Sequence, residues 1–132
     1  MNKSDITTPL NARLESGALN FPGAWPNIGY GGATPYFEVT FVGVNRTGRL
    51  KGGGFRRETG TMAVTVAVEV GTGTVQADTY ADAIAALFPG GLRIAATGGI
   101  VSVRDETIIE GGYRADAEWR VPVLIRYSAL AA

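Results

Sequence analysis

Asp78 and Asp82 stand four residues apart in "VQADTYADAIAAL", a spacing that puts both carboxylates on one side of a helix, where they could hold a divalent cation or share acid–base work. A hard cation wants about six oxygen ligands. No other ligand lies close in sequence, so a solvated helix face, with Asp78 near the positive end of the helix, accounts for the pair. "GTGT", Gly71 to Thr74, sits between a strand pattern and a helix pattern, where backbone amides can cradle phosphate. It lacks the lysine of a P-loop and the third glycine of a dinucleotide fingerprint, and a plain strand-to-helix turn uses the same residues. Five cations, Arg46, Arg49, Lys51, Arg56 and Arg57, gather in "NRTGRLKGGGFRRETG". Such a segment can grip phosphate, line a nucleic-acid channel or order against an acidic neighbour, and it can equally be a solvated hairpin tip. Both readings stay open. Phe55 is its one aromatic residue, which argues against a stacking platform for single strands.

Composition narrows the chemistry further. The chain of 132 residues has neither cysteine nor histidine. That removes disulfides, thiolate nucleophiles, Cys/His zinc sites and Ser-His-Asp triads together. With 12 basic and 12 acidic residues the net charge is zero, so no global field draws the chain to nucleic acid or an anionic membrane, and any charge effect is local. No leader-like apolar segment opens "MNKSDITTPLNARLESG", and no stretch approaches the roughly 20 apolar residues of a membrane span. The expectation is a soluble protein made in the cytoplasm, a single domain over residues 1–132, with no cofactor and no metal.

The elements that must position these residues follow from periodicity. Ile6, Leu10, Leu14 and Ala18 recur at four-residue spacing behind Ser4 or Asp5 as a cap, predicting a short helix that Pro9 interrupts or delays. Phe37, Val39 and Phe41 alternate with Tyr36, Glu38, Thr40 and Val42, a strand from Tyr36 to Val44. Met62, Val64, Val66, Val68 and Val70 alternate in the same way, so the two strands form a hairpin with the basic segment as its long tip. Thr74 is placed to cap a helix whose stripe is Ala77, Tyr80, Ala81, Ile84, Leu87 and Phe88, and Pro89 stops it. A third strand begins at Ile100 and reaches toward Ile109, "EGGY" reads as a turn, and a last strand runs from Ala117 to Tyr127. Pro122 cannot donate to a ladder, which places that strand at an edge or gives it a bulge. The expected fold is α+β: two layers, a mostly antiparallel four-stranded sheet and two helices, in helix, hairpin, helix, hairpin order. Trp25, followed by Pro26, either marks a ligand pocket or anchors the segment that crosses to the first strand, and the large area a tryptophan buries favours the anchor.

"AWPN" at Ala24 to Asn27, "TPYFEVTF" at Thr34 to Phe41, "ETGTMAVTVAVEVGTGT", "ADAIAALFPGG" at Ala81 to Gly91 and "EWRVPVLIRY" at Glu118 to Tyr127 together resemble the tail terminator proteins of long-tailed phages. The resemblance covers nearly the whole chain from Ala24 onward and rests on order and spacing. It implies a structural protein of the virion tail, without catalytic residues, that forms a six-membered ring on the head-proximal end of the tail tube. Such a ring stops tube growth and presents a surface for head–tail joining. The implied partners are other copies of the chain, the tail tube protein, the head–tail connector protein and DNA passing through the lumen, with no membrane. In that setting the basic tip (Arg46, Arg49, Lys51, Arg56, Arg57) faces the lumen or an adjoining protein. The Trp25–Pro26 anchor then frees the last strand, with Trp119, Arg120, Leu124 and Arg126, for subunit contact. Two alternatives remain: a head-side connector or neck adaptor, and a small nucleic-acid-binding module that uses residues 46–57.

Overall fold

The computed structural model describes residues 1–17, 23–24, 34–49, 55–71 and 74–131. Their elements run α1 (Lys3–Glu15), β1 (Gly23–Ala24), β2 (Tyr36–Arg49), β3 (Phe55–Glu69), α2 (Val75–Leu87), β4 (Arg93–Ala96), β5 (Gly99–Val103), β6 (Ile108–Ile109), β7 (Tyr113–Ala115) and β8 (Glu118–Ala131). All the strands belong to one sheet of eight, in the order β1-β2-β3-β8-β5-β4, with β6 and β7 also paired to β8. The pairings are antiparallel except for β1 with β2.

This overturns the expected two-layer α+β domain with four strands in helix, hairpin, helix, hairpin order. The protein is mostly β, and five strands rather than one hairpin follow α2. The strands missing from the expectation are short: β4 has four residues, β7 three, β1 and β6 two each. Segments of that length carry too few alternations to show a period of two. β6 and β7 form because β8, at 14 residues, offers a ladder edge along which β7, β6 and β5 dock in succession, while β4 adds to β5 and β1 to β2.

β8 is therefore an interior strand and not an edge. Its proline is accommodated by the seam between two of these short partners. β6 pairs with residues 123 and 124, and β7 with 118 to 120. The Pro122 carbonyl accepts from the Glu110 amide at 2.9 Å, so the ring nitrogen also points to that side, where the ladder is already broken.

The core follows from the alternation. Rows such as Val39–Val64–Val123 and Phe37–Val66–Val121 cross β2, β3 and β8 on one face. They form one buried cluster with Ile6, Leu10 and Leu14 of α1 and with Ala77, Ala81 and Ile84 of α2. The small residues of α2 let its backbone approach the sheet. Pro9 lies inside α1 without ending it. Its cost of about 3 kcal/mol is offset by three buried aliphatic side chains, each contributing about 1.5–3 kcal/mol. The cap is Asn2, whose Oδ1 accepts from the Asp5 amide at 3.1 Å while Asp5 Oδ2 accepts from the Asn2 amide at 2.8 Å. Thr74 occupies the N-cap position of α2 but makes no capping bond. At the other end of α2, Arg13 Nε donates to the Leu87 carbonyl at 2.8 Å, tying the two helices together. No helix among the described residues is long and apolar enough to cross a membrane.

The opposite face of the sheet carries Thr59, Thr61, Ala63 and Thr65 of β3 beside Pro122, Leu124 and Arg126 of β8. These side chains are half-buried or exposed.

Candidate functional site

The basic segment expected as a loop is mostly ladder. β2 and β3 stay paired through Arg46↔Glu58, Thr47↔Arg57 and Arg49↔Phe55, after a register shift between Val42 and Asn45 where Gly43 takes φ +64°. Residues 42–48 are exposed throughout, so this end of β2 lies outside the helix-covered core. Arg56 and Arg57 are both exposed and point to opposite faces of the ribbon. Arg49 ends β2; Lys51 lies outside the described residues, as do Trp25 and Pro26.

Arg46 is committed to the protein itself. Arg46 Nε donates to Glu58 Oε1 at 2.7 Å, and the Tyr127 hydroxyl donates to Glu58 Oε2 at 3.1 Å. Glu58 is fully buried, the one buried charged residue among those described, whereas the Arg46 side chain is 45% exposed. A carboxylate cannot sit in such a place without partners. Here it has one from β2 and one from β8, so it staples three strands at the root of the ribbon. Gly60 makes room for this arrangement: a β-carbon there would lie 2.7 Å from the Tyr127 hydroxyl. Burial, then the neighbouring Glu58 carboxylate, hold the Tyr127 hydroxyl protonated well above its usual range. The signal in the sequence that Glu58 is buried was its place on the even, core-facing positions of β3, in phase with Met62 and Val64.

The four residues expected as an interface on the last strand divide between two environments. Trp119 packs half-buried against the core, with Gly112 against its indole, and its Nε1 is enclosed without a partner among the described residues. Arg120 is held in a network: Nη2 donates to the Tyr36 hydroxyl at 3.0 Å and to Glu118 Oε1 at 3.0 Å, and Nη1 donates to Glu38 Oε2 at 3.3 Å. Tyr36, Ala67 and Arg120 form one row across β2, β3 and β8, so the small Ala67 lets the guanidinium reach over the central strand. Burial first, then the Glu118 carboxylate, raise the Tyr36 pKa. Leu124 is half-buried opposite Ala63, and Arg126 is exposed, 3.7 Å from Asp105, a contact of little energetic weight. Because β8 is interior, only its side chains, and not a free backbone edge, are available to a partner.

Asp78 and Asp82 are exposed on α2, and no group of three or more metal-ligating side chains occurs among the described residues. Of "GTGT", Gly71 and Thr74, the N-cap of α2, are described; Thr72 and Gly73 lie outside the described residues.

No curated protein matches the sequence. A solved structure whose name carries no statement of function is 26% identical, with 100% of this chain and 98% of its own covered and a TM-score of 0.80, so the fold is shared end to end. The family described as phage tail terminator protein matches residues 5–127. The chain belongs to that family, the structural tail terminator proteins of phage virions.

Proposed function

We propose that the protein assembles as a ring, six-membered as the family resemblance implies, on the head-proximal end of the tail tube. There it ends tube polymerisation and offers the surface to which the head connector joins. Its partners are other copies of itself, the tube protein and the connector protein. It acts by surface complementarity, with no covalent step.

The observation that carries this reading is the family match over residues 5–127. The fold is consistent with it: a long sheet stiffened by two helices on one face suits a subunit that must hold fixed surfaces toward neighbours. The test is tube capping. Purified tube protein polymerises in the presence and absence of this chain, and tube length and end density are scored by electron microscopy. Short tubes with density at one end are expected; tubes of unchanged length with bare ends would overturn the assignment.

A further inference from the structure

The sheet has two unlike faces. Both described helices pack on one of them, and all the described strands lie in the sheet itself, so no element among the described residues covers the other. That open face collects apolar surface. Of the eight exposed large apolar side chains among the described residues, five share it by register: Val42, Ile100, Ile108, Tyr113 and Leu130. The half-buried Leu124 lies between Ala63 and Ile108 in one of its rows. A concentration of this kind marks an interaction surface.

The same face carries cations without internal partners. Arg57 joins it opposite Leu130, and Arg93 joins it in the neighbouring row, opposite Ser102. Both are exposed, and neither makes an ion pair among the described residues. Arg126, one row further on, has only the exposed Asp105 at 3.7 Å. Glu38, a carboxylate of this face, lies toward its far end and is held there by Arg120 at 3.3 Å.

The outer side of α2, beyond the other face, has the opposite sign. Ala77, Ala81 and Ile84 turn inward to the core, so Val75, Thr79, Asp82 and Ala86, spaced i, i+4, i+7 and i+11, form the outer line of the helix, with Asp78 on its flank. All five are exposed. The helix contains no lysine or arginine, and neither Asp78 nor Asp82 has an ion-pair partner among the described residues. Val75 is 78% exposed, an apolar side chain left almost wholly in water. Short side chains along this line let the helix come close to a flat surface. At 1.5 Å per residue α2 is about 20 Å long, which matches the stretch of β8 from Leu124 to Leu130 at about 3.3 Å per residue.

From these two faces we propose that the outer side of α2 in one copy docks on the open sheet face of a second copy of this chain. Asp78 and Asp82 then meet Arg57, Arg93 and Arg126, and Val75 enters the exposed apolar surface. The sheet gains helices on both faces, a stable layer arrangement. A contact between unlike surfaces is heterologous, and it closes into a ring when the rotation between copies allows. The proposal rests on the ring reading above and deepens it by naming the two surfaces that meet. Charge complementarity fixes the direction in which they join.

The test uses two charge-reversed chains. Arg57→Glu/Arg93→Glu makes the sheet face acidic; Asp82→Lys/Ala86→Lys makes the outer line of α2 basic, near the helix C-terminus where cations are tolerated. Circular dichroism and thermal melting first establish that each is folded. Assembly is read by native mass over a concentration series and, on polymerised tube protein, by the fraction of capped ends. Each variant alone is expected to need at least about tenfold higher concentration than the parent, since losing about 1.4 kcal/mol of contact energy is a tenfold change. Their equimolar mixture is expected to assemble as the parent does, because in an even-membered ring every junction again joins opposite charges. The lack of cysteine allows a second readout. A chain carrying Ala86→Cys and Leu130→Cys, treated with a short thiol-to-thiol cross-linker, should give a ladder of intermolecular products, and neither single-cysteine chain should. The body of the helix, about 10 Å across, and the sheet separate the two positions within one chain.

Reversed chains that assemble alone like the parent, a mixture that stays unassembled, or cross-linking of either single-cysteine chain would overturn the proposal. So would an Arg57→Glu/Arg93→Glu chain that assembles normally but loses salt-sensitive binding to duplex DNA, which would assign the cations to phosphate. In each of these cases a parent that forms rings leaves the ring reading standing. A parent that stays monomeric at every concentration and on tube ends removes both.

Discussion

Removing Arg46 isolates the energetics of the staple at the ribbon's root. Arg46→Ala deletes the 2.7 Å bond from Nε to Glu58 and leaves a fully buried carboxylate with the Tyr127 hydroxyl alone. Breaking a wholly buried ion pair costs about 3–5 kcal/mol, and a hydrogen bond to a charged group contributes about 1.5–3 kcal/mol net. The Arg46 side chain is 45% exposed, so solvent already screens part of the attraction and water can replace part of the lost partner. The expected cost is therefore about 2 kcal/mol, a fall of about 6–10 °C in Tm for a domain of this size. Thermal melts and urea titrations of the parent, Arg46→Ala, Glu58→Gln and the double variant decide the cause. The neutral amide that replaces the Glu58 carboxylate in the double variant can still accept from Tyr127. Arg46→Ala/Glu58→Gln should therefore be about 1 kcal/mol more stable than Arg46→Ala. An Arg46→Ala variant within about 0.5 kcal/mol of the parent, or a double variant no more stable than the single, refutes the reasoning.

Alkaline unfolding tests the other partner. The folded protein holds the Tyr127 proton that the unfolded chain releases above about pH 10, so stability is intact below that pH and falls as pH rises beyond it. Tyr127→Phe should lose about 1–2 kcal/mol at neutral pH and show a shallower alkaline decline than the parent, read from urea midpoints at about pH 8 to 11; an unchanged slope contradicts the assignment. Ala67→Leu fills the space over which Arg120 reaches Tyr36 and should cost about 1–2 kcal/mol by thermal melt, mostly abolished in an Arg120→Ala background. Leu10→Ala, at a fully buried site facing the sheet from α1, should cost about 2–5 kcal/mol, whereas Asp82→Ala on the exposed side of α2 should stay within about 0.5 kcal/mol.

What the sequence revealed and what it concealed divide along physical lines. Both helices and the faces of β2, β3 and β8 were legible because long elements repeat their burial period several times, as in Met62, Val64, Val66 and Val68. The family was legible from the order of those segments, and residues 5–127 match it. β4, β6 and β7 were not legible, since two to four residues show no period and their pairing is decided by their neighbours, β5 for β4 and the long β8 for β6 and β7. Pro122 misled in a related way: its missing donor was read as an edge or a bulge, while the structure places it on an interior strand where β6 gives way to β7. The basic segment was likewise read as a loop over its whole length, yet the ladder continues to Arg49↔Phe55; the triple glycine lies outside the described residues.

The continuation of that ladder changes what the basic residues can do. Charges on a loose tip are averaged over many positions and contribute mainly to solubility. Charges on paired strands are held at fixed spacing along a ribbon, where they can match a second fixed pattern. The ribbon's root is set by Glu58, which takes one bond from β2 and one from β8 and so fixes the twist of the ribbon against the sheet. The opposite end of β3 is held by its Glu69↔Glu118 register and by the Val70 amide on the Ala117 carbonyl at 3.1 Å, and there Arg120 Nη2 donates to Glu118 at 3.0 Å. Weakening the staple with Arg46→Ala should therefore impair assembly even though the exposed Arg56 and Arg57 are untouched, and an Arg46→Ala chain that is folded and assembles like the parent would separate the ribbon's charge from its rigidity.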